Sequence, residues 1–202
     1  EIAQCLVGSE MCIRDRPITV GDNNPGGLAN ANTTEFRNKV STVLAKNGEG
    51  LAGANYSMGA MSGIHNTHPD WKIIATETAS PSNSRGIYNT LSQYNKTGDY
   101  QCTAYDTNAV SWGNTARESW WYTIKDDFVS GEFIWTGFDY IGEPTPWNGT
   151  DKGSVSGDKL AVPNSSYFGV IDTAGFEKDS FYFYTSQWRD CLLYTSDAAD
   201  DM

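Results

Sequence analysis

The feature that most constrains the fold is an apolar run closing on one carboxylate, Lys72-Ile73-Ile74-Ala75-Thr76-Glu77, followed by the small residues Thr78-Ala79-Ser80. A short run of this composition reads as a buried strand with an acid at its carboxyl end. A second such run, Gly131-Glu132-Phe133-Ile134-Trp135-Thr136-Gly137-Phe138-Asp139-Tyr140, follows a helix-like stretch. In parallel α/β sheets, chemistry gathers at the carboxyl ends of the strands. Taken alone, Glu77 reads more readily as a plain carboxylate at a strand-to-loop turn, so the rest of the chain must decide.

Strand-like and helix-like stretches alternate along the sequence, the sign of repeated βα units and a parallel sheet. Four units are legible. Pro17-Ile18-Thr19-Val20 is a short strand broken by the turn-rich residues 21–27. Residues 34–45 place Phe36, Val40, Val43 and Leu44 at helical spacing. Leu51-Ala52-Gly53-Ala54-Asn55-Tyr56 is the second strand. The Glu77 run is the third, approached through a loop or broken helix over residues 64–71. Residues 115–129 are expected to be helical, with Ala116, Trp120, Ile124 and Phe128 on one face; residues 133–138 form the fourth strand. The Pro/Gly-punctuated residues 142–163 are too long for a casual connection and make a candidate active-site loop. Residues 167–172 form a short extended piece, and residues 178–188 an aromatic helix with Phe181, Tyr184 and Trp188 at helical spacing.

Both ends of the chain are set apart from this pattern. Met11-Cys12-Ile13-Arg14-Asp15 resembles the translation of a transposon-based sequencing adapter, and Cys191-Leu192-Leu193-Tyr194-Thr195-Ser196-Asp197-Ala198-Ala199-Asp200 resembles its reverse complement. Residues 1–16 and 191–202 are therefore expected to be adapter-derived, disordered flanks, and residues 17–190 the domain. Those 174 residues suffice for one sizeable core but fall short of a complete eight-fold barrel, which needs about 250. Without the flanks, Arg14 and Arg16 leave the 14 cations and six acids leave the 25, so 12 face 19 and the balance is −7. An acidic domain is a poor nucleic-acid binder. Three of the four cysteines (Cys5, Cys12, Cys191) lie in the flanks, leaving Cys102 unpaired and no disulfide or metal framework. No apolar run approaches the ~20 residues of a membrane span.

Several separated motifs then occur in one order: Gly53-Ala54-Asn55-Tyr56, Thr76-Glu77-Thr78-Ala79-Ser80, Arg85-Gly86, residues 131–147, Ser166-Tyr167-Phe168-Gly169 and Lys178-Asp179. Together they resemble the carboxyl-terminal half of the catalytic barrel of glycoside hydrolase family 2, and residues 131–147 look most like bacterial β-galactosidases. One local departure is Thr76, where the family usually shows Ser. The resemblance implies an α/β fold, a partial (β/α)8 TIM barrel made of strands five to eight with their outer helices. It implies that Glu77 is the nucleophile of a retaining exo-β-glycosidase acting on terminal β-linked sugars, with no cofactor and no metal. Tyr56 matches the family's tyrosine that hydrogen-bonds the nucleophile, or is a barrel-rim aromatic. Trp135 matches an indole platform for the sugar, or is core. Trp147 shapes the leaving-sugar subsite, or packs on the missing half.

A retaining glycosidase needs a second carboxylate about 5–5.5 Å from the first. In the family that acid/base glutamate follows Asn and ends the fourth strand, upstream of everything present here. No Asn-Glu pair occurs in residues 17–190. The expectation is a chain carrying the nucleophile but not the acid/base, inactive alone, whose partners are a carbohydrate substrate and the missing amino-terminal half of its own barrel. Alternatives are β-glucuronidase or β-mannosidase chemistry on the same barrel, or a non-catalytic carbohydrate-binding domain. The helix-like residues 115–129 and 178–188 argue against the last, which would need an all-β pattern. His65 and His68 have no third ligand at metal-binding spacing, which favours a structural role.

Overall fold

The computed structural model describes residues 19, 21–23, 51–88, 101–143 and 165–189. The chain divides into two compact units, residues 1–78 with 119–134 and residues 79–118 with 135–202.

The first unit is built on a four-stranded sheet. Strands β1 (Gly21–Asp22), β2 (Leu51–Asn55), β3 (Lys72–Ala79) and β4 (Val129–Trp135) are hydrogen-bonded in chain order. The β1/β2 and β2/β3 pairs are parallel. A parallel pair needs a crossover, and between β2 and β3 it is a 3-10 turn (Met58–Ala60) leading into helix α1 (Met61–Thr67).

Alternation along a strand sends successive side chains to opposite faces. Ala52 and Ala54 of β2 and Ile73 and Ala75 of β3 accordingly share one face, packed against Met58, Met61, Ile64 and Trp71. The alanines of β2 are small enough for the crossover to lie close, and Ile73, fully buried, contributes about 2–3 kcal/mol of burial. His65 and His68 stack on Phe128 and Trp71 at 4.0 and 3.8 Å between ring centroids, in keeping with a packing role.

Three elements differ from the pattern read in the sequence. Residues 64–71 were expected as a loop or broken helix, and α1 occupies their first part. Gly21–Asp22, expected within the turn-rich residues 21–27, form β1; of the strand expected over residues 17–20 only Thr19 is among the described residues, and its hydroxyl donates to the Leu51 carbonyl at 2.8 Å. Helix α2 (Ala116–Ile124) stops short of Val129, which opens β4. Asp126 and Asp127 favour a turn there, and the Val129 N–H closes it onto the Asp126 carbonyl at 3.1 Å. The helix expected over residues 34–45 and most of the loop over 142–163 lie outside the described residues. Among the described residues no helix is long and apolar enough to cross a membrane.

The second unit holds the last described helix, α3 (Asp179–Trp188), and loops pinned by single bridges, among them the parallel pair Phe138–Ile171 and the antiparallel pair Pro81–Ala109. Its polar centre is an ion pair between Lys178 Nζ and Asp139 Oδ2 at 2.5 Å, both side chains buried. Burial pushes the Asp139 carboxyl up and the Lys178 ammonium down from their ordinary ranges, and each charge is held by the other. Backbone groups complete the set: Lys178 donates to the Asn83 and Tyr167 carbonyls, and Asp139 Oδ1 accepts from the Gly169 N–H at 2.7 Å. A Cβ on Gly169 would stand 2.1 Å from the Asp139 nitrogen, so this approach requires glycine.

Candidate functional site

Strict alternation would send Glu77 to the helix-packed face with Ile73 and Ala75. A change of register prevents this. Ala54 pairs with Ala75 but Asn55 pairs with Glu77, so Thr76 is the extra residue of a bulge. Bulges re-aim side chains and are enriched beside active sites. Asn55 follows buried Ala54 and therefore projects from the opposite face, and its Nδ2 donates to Glu77 Oε2 at 3.3 Å. The Thr76 hydroxyl donates to Asn55 Oδ1 at 2.6 Å, which fixes which end of the carboxamide faces the carboxylate. Glu77 thus stands half-buried, on the face away from the α1 core.

Gly21 is part of the same arrangement. A Cβ there would lie 2.8 Å from Asn55 Oδ1 and 3.0 Å from its Nδ2. Tyr56 meets Glu77 through the backbone, its N–H donating to the Glu77 carbonyl at 2.8 Å. Tyr56 has φ +50, and Ala79 and Ser80 have φ +64 and +62. Left-handed geometry at non-glycine residues costs about 1–3 kcal/mol each and clusters at functional sites. The carboxyl ends of β2 and β3 both carry it.

A second carboxylate of this unit, Glu132 of β4, is differently placed. Its Oε2 accepts from the fully buried Thr78 hydroxyl at 2.9 Å. Burial raises its pKa above the ordinary carboxylate range, which that hydrogen bond only partly offsets.

In the second unit, Trp135 ends β4 with 37% of its surface exposed. Its carbonyl accepts the Ser80 N–H at 3.1 Å. The indole Nε1–H donates to the Tyr140 hydroxyl at 3.2 Å, with the two rings edge to face at 6.1 Å and 88°. The Tyr140 hydroxyl in turn donates to the Glu143 carboxylate. Tyr140 is anchored by its backbone, its N–H bonding Ser166 Oγ at 3.0 Å and its carbonyl the Ser166 N–H at 2.8 Å. Trp147 lies outside the described residues.

Of the residues singled out in the sequence, Glu77 and Tyr56 come together at the ends of adjacent strands, and Trp135 belongs to the other unit. The sequence reading missed Asn55, Gly21, Tyr140 and Glu143. An amide immediately before Tyr56 at a strand end was the available signal for Asn55.

No family model matches the chain. The β-galactosidase BoGH2A of Bacteroides ovatus is 36% identical over 186 residues, which cover 87% of this chain and 19% of that protein. The chain is homologous to a segment of the family 2 β-glycosidases. A putative β-glucuronidase of Formosa agariphila is 37% identical over 90 residues, covering 44% of this chain and 7% of that protein. The chain therefore spans less than a fifth of the length of either curated relative. Among solved structures, a β-glycosidase from Bacteroides vulgatus matches with a TM-score of 0.59 at 24% identity, covering 94% of this chain and 24% of the other. A β-D-glucuronidase from Dictyoglomus thermophilum matches at 0.54 and 13% identity, covering 94% and 28%. At these identities the structural matches speak for the α/β fold with its parallel sheet.

Proposed function

We propose that this chain is the nucleophile-bearing half of the (β/α)8 barrel of a retaining exo-β-glycosidase, with Glu77 as nucleophile and terminal β-galactosides as substrates. The observation that carries it is the bulge at Thr76, which takes Glu77 off the helix-packed face and gives its carboxylate a donor in Asn55. A nucleophile must stay ionised in a partly enclosed site, and a donor to its charged form favours that state. The carboxylate attacks the anomeric carbon, the leaving oxygen departs with a proton from a second carboxylate, and water later releases the sugar from the enzyme.

That second carboxylate, in this reading, lies on a strand upstream of residue 17. Glu132 does not fill the part, since it is turned to Thr78 of its own sheet. The Tyr56 hydroxyl assists Glu77, the Trp135 face receives the C–H side of the sugar ring, and Trp147 borders the leaving-group subsite. The β-galactosidase relative is matched over twice the share of the chain matched by the β-glucuronidase one, which favours galactosides.

The experiment is Glu77→Gln in the complete enzyme. Turnover of an aryl β-galactoside should fall to background while substrate binding survives, because the attacking charge is lost and the shape is kept. A 2-fluoro aryl galactoside should label Glu77 in the unaltered enzyme. Label on another residue, or undiminished turnover in the variant, would overturn the assignment.

A further inference from the structure

The second unit contains a directed hydrogen-bond chain that the proposed chemistry leaves unexplained. It runs from the Trp135 indole N–H to the Tyr140 hydroxyl at 3.2 Å, and from that hydroxyl to the Glu143 carboxylate. Its direction is set by the groups themselves. An indole nitrogen only donates, an ionised carboxylate only accepts, and a phenol has one proton. Tyr140 therefore gives its proton to Glu143 and turns a lone pair to the indole.

We infer that Tyr140 and Glu143 are positioning residues that lock the Trp135 ring as a stacking platform, an inference that rests on Trp135 as a sugar-binding residue. The edge-to-face packing at 88° fixes the plane of the indole, and the hydrogen bond fixes its rotation within that plane. Tyr140 is itself held at both backbone groups by Ser166, and its neighbour Asp139 by the buried Lys178. The consequence is chemical. With its single donor engaged by Tyr140, Trp135 has none left for a sugar hydroxyl and offers its face alone. A face selects the apolar C–H side of a pyranose and is indifferent to the hydroxyls at its edge, which other groups must read.

The test is a double-mutant cycle in the complete enzyme, with kcat and KM measured on an aryl β-galactoside. Tyr140→Phe keeps the ring but loses the acceptor, and should raise KM roughly three- to tenfold, the range one lost hydrogen bond covers, with kcat changed less. Glu143→Ala should do the same, and Glu143→Gln, which retains an acceptor, should recover at least half of that loss. In a Trp135→Phe background, Tyr140→Phe should have no further effect, because the group it positions is gone. A general structural role for Tyr140 predicts instead that its effect persists undiminished there, and that result overturns the inference. So does a Tyr140→Phe enzyme with unaltered KM. If Trp135→Phe alone leaves kcat/KM unchanged, the platform reading fails and takes this inference with it. Should Tyr140→Phe not fold, the Glu143 pair run against Trp135→Phe decides by the same criterion.

Discussion

Glu77 owes its orientation to neighbours more than to its own strand. Asn55 supplies a donor, Thr76 orients Asn55, and Gly21 leaves the carboxamide its space. Gly21→Ala would put a methyl 2.8 Å from Asn55 Oδ1, and the carboxamide must turn away. With Glu77 as the proposed nucleophile, the expected outcome is a loss of about tenfold in kcat, less than the roughly 10²–10³-fold that removing a donor outright costs. The melting temperature should move little, which separates the effect from unfolding. Glu132 gives a pH prediction. Its pKa is raised in the folded state above the unfolded value of 4.5, mainly by burial. Below 4.5 both states hold the proton; as pH rises toward the folded value only the unfolded state releases it, so this residue lowers stability across that window and above it. Glu132→Gln keeps an acceptor for Thr78 without the charge. Urea denaturation of the complete enzyme should show a gain for the variant at pH 8 and none at pH 4; a variant less stable than the parent at pH 8 refutes the sign. Glu77 itself was visible in the sequence because an acid ending an apolar run is a local pattern. Gly21 was not, because its role depends on a pairing with Gly53, thirty-two residues away.

At the scale of elements, the strands whose apolar residues carry the pattern were legible, and the points where the pattern breaks were not. The expected second strand ended at Tyr56, and β2 ends one residue earlier. The register shift in β3 could not be read from alternation, since only the β2 partner reveals which residue is extra. Helix α2 shows the opposite case, a start written locally in Thr115-Ala116-Arg117-Glu118. The Thr115 N–H donates to Glu118 Oε2 at 3.1 Å, and the Glu118 N–H to Thr115 Oγ1 at 3.3 Å, a reciprocal capping box. Asp106 adds a non-local cap, accepting the Ala116 and Arg117 N–H groups at 2.9 Å each. That carboxylate sits where the helix dipole favours negative charge. Asp106→Ala leaves both amides without this partner and should cost about 1 kcal/mol, within the 0.5–2 kcal/mol range of cap losses. Asp106→Asn, still an acceptor for one amide, should lose less. The order of the two variants in urea midpoint tests the cap, and equal midpoints would discount it.

For the whole molecule, the sheet among the described residues ends on β1 and β4, and apolar groups of the first unit such as Phe133 and Trp121 are 63% and 60% exposed. Strand edges and apolar surface of this kind promote association. The 202-residue chain made alone should therefore aggregate, and co-expression with the proposed upstream half of the barrel should bring it into solution as a stoichiometric complex; a monodisperse monomer alone would contradict this. Activity should follow the same line. A retaining mechanism needs two carboxylates in opposed protonation states. In the proposed reading only one lies in this chain, and general acid–base catalysis is worth about 10²–10⁴-fold. An activated aryl leaving group needs little protonation, so the chain alone should allow at most slow formation of the sugar–Glu77 ester. Release of that ester should stall, because no positioned base deprotonates the incoming water. Incubation of the chain with an aryl β-galactoside should thus liberate no more than one equivalent of phenol per chain, and the complex with the upstream half should turn over many times. Sustained turnover by the chain alone, lost in Glu77→Gln, would mean that another of its carboxylates serves as the acid and that the second catalytic group lies within these residues.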